Sequence, residues 1–61
     1  MIDFENFRNR KVEIIKKDGV KKHGLVVGYS YPFLFFKHFD NEIIEAINVN
    51  EIERIKIKNG D

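Results

Sequence analysis

The 61-residue sequence contains no cysteine, tryptophan or threonine, one proline, one serine and four glycines. Without cysteine there is neither a disulfide nor a thiolate zinc site, the two staples on which very small domains often rely. A chain of this length buries only about 60% of its unfolded surface, so apolar packing has to supply its stability. Four scattered glycines form no phosphate-cradling loop. Ser30, the single serine, sits between Tyr29 and Tyr31 in an alternating stretch, where a small polar residue facing solvent is the ordinary reading. Glu42 and Glu45 lie three apart, so in a strand they face opposite sides and cannot act as an acid–base pair. The expectation is a protein that is not an enzyme and takes no cofactor.

Long hydrophobic runs are also missing. The longest, residues 31–36, contains Pro32 and is far too short to cross a bilayer. Met1 is followed by acidic and aromatic residues rather than the basic and apolar regions of a signal peptide. A cytoplasmic protein is expected, and the lack of cysteine fits a reducing compartment. The net charge is +1, so no global field draws the chain onto nucleic acid.

What the sequence does have is strand-forming side chains: nine Ile, five Val and six Phe against two Leu and one Ala. β-Branched and aromatic residues pack well on a pleated surface. Residues 2–9 do not alternate, and Asp3 can cap a short helical turn that places Phe4 and Phe7 on one face. Residues 12–16 read as a first strand, with Val12 and Ile14 on one side. Asp18-Gly19 is the signal for a two-residue type I′ turn, followed by a long second strand over 20–31. Gly24 and Gly28, on its Val20/Val26 face, let that strand bend and serve both sides of a small barrel. Pro32 belongs at the crossing to strand three, residues 33–39. Asp40-Asn41 makes the next turn. Strand four covers 42–49, with Ile43, Ile47 and Val49 on one side and Ile44 and Ala46 on the other. Asn50-Glu51-Ile52 interrupts the alternation before strand five, 54–58, where a 3-10 turn fits. Five strands, tight hairpins, a bent second strand and a turn before the fifth give an all-β, SH3-like barrel. It forms a single domain over 1–61, and closing on itself it limits exposed edges.

From Gly24-Leu25-Val26-Val27, through Tyr31-Pro32-Phe33-Leu34-Phe35, to Ile47-Asn48-Val49-Asn50-Glu51-Ile52, the chain resembles the Veg family of small Gram-positive bacterial proteins. The similarity covers residues 10–57, and Tyr-Pro-x-x-Phe is its most specific step. It implies a short N-terminal helix on an SH3-like barrel and a regulatory role through DNA or a DNA-binding partner. The stretch from Gly24 to Tyr29 also resembles Sm-like RNA-binding proteins, and Lys37-His38 is similar to the Lys-His pair of bacterial Sm-like RNA chaperones. Leu34 stands where an Sm-like chain carries its strand-three Asn, and Lys37-His38 falls in a different strand. The Sm-like ring subunit is therefore the second reading, and a structural or protein-interaction module a third.

Three surfaces are candidates for binding. Lys16, Lys17, Lys21, Lys22 and His23 flank the Asp18-Gly19 turn and would gather at a hairpin tip. Asp18 is the only acid between Glu13 and Asp40, while the acids concentrate over 42–53. That polarity suits sequence-independent phosphate contacts to nucleic acid. Tyr29, Tyr31, Phe36 and Phe39, from an aromatic-rich stretch too bulky to be wholly internal, are the candidate interface for self-association or a protein partner. His23 and His38, in neighbouring strands with Asp40 nearby, form the one grouping that resembles a metal site. Both follow lysines, so solvent-facing rim positions account for them better, and no metal is expected.

Overall fold

In the computed structural model, which describes residues 3–58, a 3-10 turn (Phe4–Phe7) precedes strands β1 (Lys11–Lys16), β2 (Lys21–Ser30), β3 (Phe33–His38), β4 (Ile44–Asn48) and β5 (Ile52–Ile57). A second 3-10 turn, Val49–Glu51, leads directly into β5. The strands form one antiparallel sheet in the order β4-β3-β2-β1-β5. This is the SH3-like layout expected from the sequence, with one correction: among the described residues no ladder joins β4 to β5. The barrel stays open along that seam, and both strands are edges.

The sheet curls around a core of Val12, Ile14, Val26, Leu34, Phe36, Ile47, Val49 and Ile52, drawn from every strand and the second 3-10 turn. Gly24 is where β2 comes closest to its neighbour. A Cβ there would run into the Lys37 carbonyl oxygen and lie 2.8 Å from the Phe36 ring, so only glycine lets β3 lie this close to β2. The second correction concerns Gly28. The β2–β3 register shifts between Val26 and Gly28, and this bulge at Val27 reverses the alternation. Gly28 therefore pairs with outward-facing Phe35, while Tyr29 pairs with buried Leu34.

At the N-terminus, Asp3 Oδ1 accepts from the Glu5 N–H at 3.0 Å, capping the turn. Phe4 and Phe7 share a face, with ring centroids 6.3 Å apart, and Phe4 lies 5.8 Å from the Tyr29 ring. Ile2, the first residue of the expected turn segment, lies outside the described residues.

The first hairpin also differs from expectation. Gly19 has φ +91°, but Asp18 is not left-handed. The Gly19 N–H donates to Lys16 O and the Lys16 N–H to Val20 O. The loop is therefore three residues long, a tight turn followed by a glycine bulge, rather than type I′. Asp18 contributes through its carboxylate, which accepts from the Val20 N–H. Strand β4 begins at Ile44, later than expected, because Glu42 adopts φ +59° and Ile43 lies before the strand, 60% exposed. Strand β5 begins earlier than expected, at Ile52. A register shift opposite Ile15/Lys16 turns Ile52 inward along with Ile55 and Ile57.

Candidate functional site: the outer face and open edge of β3 and β4

Pairing register divides the convex outer face into two halves. Across β5-β1-β2, Lys56, Glu13 and His23 stand in one row. Glu13 Oε2 lies 3.0 Å from His23 Nε2, and Oε1 lies 3.6 Å from Lys56 Nζ. The hydrogen bond from His23, helped by the charges of Lys56, His23 and Lys21, holds the Glu13 carboxyl below its ordinary value despite partial desolvation. This half is charged, with Glu13 paired to both neighbours in its row and Arg54, Ile15 and Lys21 forming the next row.

Across β2-β3-β4 the rows are Leu25–Lys37–Ile44, Gly28–Phe35–Ala46 and Ser30–Phe33–Asn48. Here Phe33 is 42% and Ile44 58% exposed. A hollow of about 360 Å³ at the upper end of this half is lined by Leu25, Lys37, His38, Phe39 and Glu42. This more apolar half ends at β4, whose far side has no partner strand among the described residues.

The aromatic residues singled out in the sequence separate. Phe36 is completely buried, a correction: it fills the core under Gly24 and has no surface to offer a partner. Tyr29 turns inward at the Val27 bulge and packs with Phe4, so it too leaves the interface. Tyr31 and Phe39 are exposed, at 70% and 47%. The outward set instead centres on Phe33, Ile44 and Ala46. Alternation separates Phe33 and Phe35 from Leu34 and Phe36, but both sets are apolar, so the sequence carries no signal for which of them faces out.

The basic cluster is also redistributed. Lys22 faces the inner side, where its Nζ lies 3.0 Å from Glu45 Oε1, and Lys16 Nζ lies 3.4 Å from Glu51 Oε1. His23 is engaged by Glu13, and Lys21 adds to the field on the same carboxylate. Lys17, beside a 270 Å³ hollow with Lys16, Asp18, Asn50 and Glu51, keeps an ammonium with no acid in ion-pair range among the described residues. The acids that the sequence holds in its second half therefore fold back onto the lysine-rich tip.

His23 and His38 fall on opposite faces of the sheet. His38 Nε2 reaches Glu45 Oε1 at 2.7 Å on the inner side, where its ring also meets Phe36 edge-on at 5.1 Å. Burial raises the Glu45 carboxyl, but hydrogen bonds from His38 and Lys22, with their charges, outweigh it and leave the carboxyl below its ordinary value. Among the described residues no three His, Asp or Glu side chains assemble as a metal site, and no helix is long and apolar enough to cross a membrane.

No protein-family model matches the chain, and neither does any curated protein sequence or solved structure.

Proposed function

We propose that the chain is a non-enzymatic binding module that works by protein contact, through the outer face of β3 and β4 and the open β4 edge. One observation carries this reading. Strand β4 is an edge whose own outward residues, Ile44, Ala46 and Asn48, carry no charge and lie next to Phe33 and Phe35, with Lys37, 3.6 Å from Glu42, beside Ile44. Edge strands ordinarily carry lysine, proline, a bulge or an inward-pointing charge to prevent pairing with other chains; on β4 the one such charge, Glu45, is already held by Lys22 and His38. Strand β5, the other edge, has Arg54 and Lys56 on its outer face. An unguarded edge beside exposed aromatic and aliphatic side chains is the composition of a contact surface.

The resemblance to the Veg family adds a role for this surface, regulation through a DNA-binding protein. Direct nucleic-acid binding, and with it the Sm-like RNA-binding ring, is the second reading, favoured by the Lys17 ammonium at the hairpin tip, which has no acid in ion-pair range among the described residues. The two readings predict different adducts when a photo-crosslinking phenylalanine analogue replaces either Phe33 or Lys17 in the cells that make the protein. Protein adducts from position 33, with none containing nucleic acid from position 17, are expected. Nucleic-acid adducts from position 17 with a silent position 33 would reverse the order.

A further inference from the structure

We propose that the β4 edge pairs with the β4 edge of a second copy of this chain, antiparallel, about a two-fold axis at Ala46. This rests on the binding surface described above and names its occupant.

The backbone bonds of β4 fix which groups are open. The His38 N–H donates to Ile43 O at 3.0 Å and the Val49 N–H to Pro32 O at 2.8 Å. In an antiparallel ladder such exchanges alternate, so residues 43, 45, 47 and 49 turn their backbone groups toward β3. Ile44, Ala46 and Asn48 turn theirs to the open side. Setting Ala46 opposite Ala46 of the second copy places Ile44 opposite Asn48 at both ends. Every open N–H and C=O of the three residues then finds a partner. A register moved by two residues strands a pair of them, and one moved by a single residue would turn the bonded side of one strand to the other.

The side chains agree with this register. On the outer face the small Ala46 side chains meet at the axis, leaving room for Phe35 of each copy to lean toward the other. Ile44 gains cover from the facing strand. On the inner face the single charge of β4 is Glu45, already held by Lys22 and His38, so the two strands meet without a free carboxylate. Ile43, 60% exposed in the single chain, comes opposite Val49 of the other copy.

Pairing β4 with β5 of a neighbour is the alternative open to this sheet, and it would build rings or open chains rather than a closed pair. It would set Arg54 and Lys56 beside Ile44 and Ala46, putting charges against the apolar half. The two-fold arrangement sets only the uncharged Ile44, Ala46 and Asn48 against one another on the outer face and uses the β4 edge of both copies. A standard interface takes about 800 Å² per partner, nearly a fifth of the 4215 Å² surface of this chain. Three paired residues and their flanks cover less, so the dimer should be reversible and dependent on concentration.

The absence of native cysteine makes single-cysteine crosslinking a clean test, read by non-reducing electrophoresis after mild oxidation of the full chain. Directly opposed Cα atoms in such a pair lie about 5.5 Å apart, within disulfide reach. Ala46→Cys should link into a covalent dimer. Ile44→Cys alone should not, because the two copies of that residue lie roughly 14 Å apart along the strands. Mixing Ile44→Cys with Asn48→Cys should restore linkage. Light scattering on the unmodified chain should rise toward twice the monomer mass with concentration and go no further. A mass beyond the dimer, or linkage by Ile44→Cys alone and not by Ala46→Cys, overturns the two-fold pairing. If the chain stays monomeric and unlinked while the analogue at position 33 captures other proteins, the second copy is the wrong occupant and the binding surface stands. If position 33 also captures nothing, both proposals fall.

Discussion

Glu45 and His38 meet at 2.7 Å, Oε1 to Nε2, on the inner side of the β3–β4 hairpin, and Lys22 from β2 reaches the same oxygen at 3.0 Å. Three strands are tied by one carboxylate, and Lys22 is therefore not expendable. Lys22→Glu should destabilise the domain by roughly 1–2 kcal/mol, since it removes a charge-assisted bond and sets two carboxylates together. Lys21→Glu, on an exposed outward position, should stay within about 0.5 kcal/mol. Urea midpoints of the two single variants check this; equal midpoints would count against the bridge.

The same carboxylate gives a pH dependence. Its folded-state pKa lies below the ordinary carboxylate value of 4.5. The stability it contributes is therefore present above that value and lost as pH falls through the depressed one. Glu45→Gln should be less stable than the parent at pH 7, and the gap should close as the pH is taken well below 4.5. A gap that persists in acid would mean that Glu45 acts by packing rather than charge.

Two glycines of β2 should respond oppositely to alanine. At Gly24 the added carbon meets the Lys37 carbonyl and the Phe36 ring, whereas at Gly28 the nearest atom is 3.6 Å away. Gly24→Ala should cost about 2–3 kcal/mol through forced separation of β2 and β3. Gly28→Ala should be neutral or slightly stabilising. Thermal melts of both variants decide the matter.

Proline scanning of β4 reads its two sides. The Ala46 N–H faces the open edge, so Ala46→Pro removes no ladder bond and should leave a folded chain that no longer dimerises. Ile47→Pro removes a bond to β3 and should cost about 3 kcal/mol or more. Circular dichroism with light scattering separates the outcomes, and an unfolded Ala46→Pro chain would show that the edge has been assigned to the wrong residues.

Nucleic acid, if bound at the hairpin tip, has few free charges to hold it. With Lys16 and Lys22 engaged by Glu51 and Glu45, only Lys17 and Lys21 remain for phosphates. The log–log salt slope on duplex DNA should be no steeper than about −2. A slope near −4 in a fluorescence titration would require both ion pairs to open on binding and would restore the nucleic-acid reading.

Local chemistry made much of the fold legible. Asp3 as a cap, Gly19 as the left-handed residue of the first turn, Pro32 at the β2–β3 crossing and the broken alternation before Ile52 all mark boundaries through backbone preferences carried by the residues themselves. The apolar alternation of β1 and β5 marked their inward sides for the same reason, whereas β3 is apolar on both faces and only packing decided that Leu34 and Phe36 are the buried set. Tertiary structure decided the rest. The Val27 bulge moved Tyr29 inward and Gly28 outward, because a register shift leaves no trace in side-chain identity. Return of the chain through the β3–β4 hairpin brought Glu45 to Lys22, and the second 3-10 turn brought Glu51 to Lys16. Charges segregated along the sequence thus became paired in space. That β4 ends the sheet without a charged outer face follows from strand order, a property of the assembled barrel rather than of any segment within it.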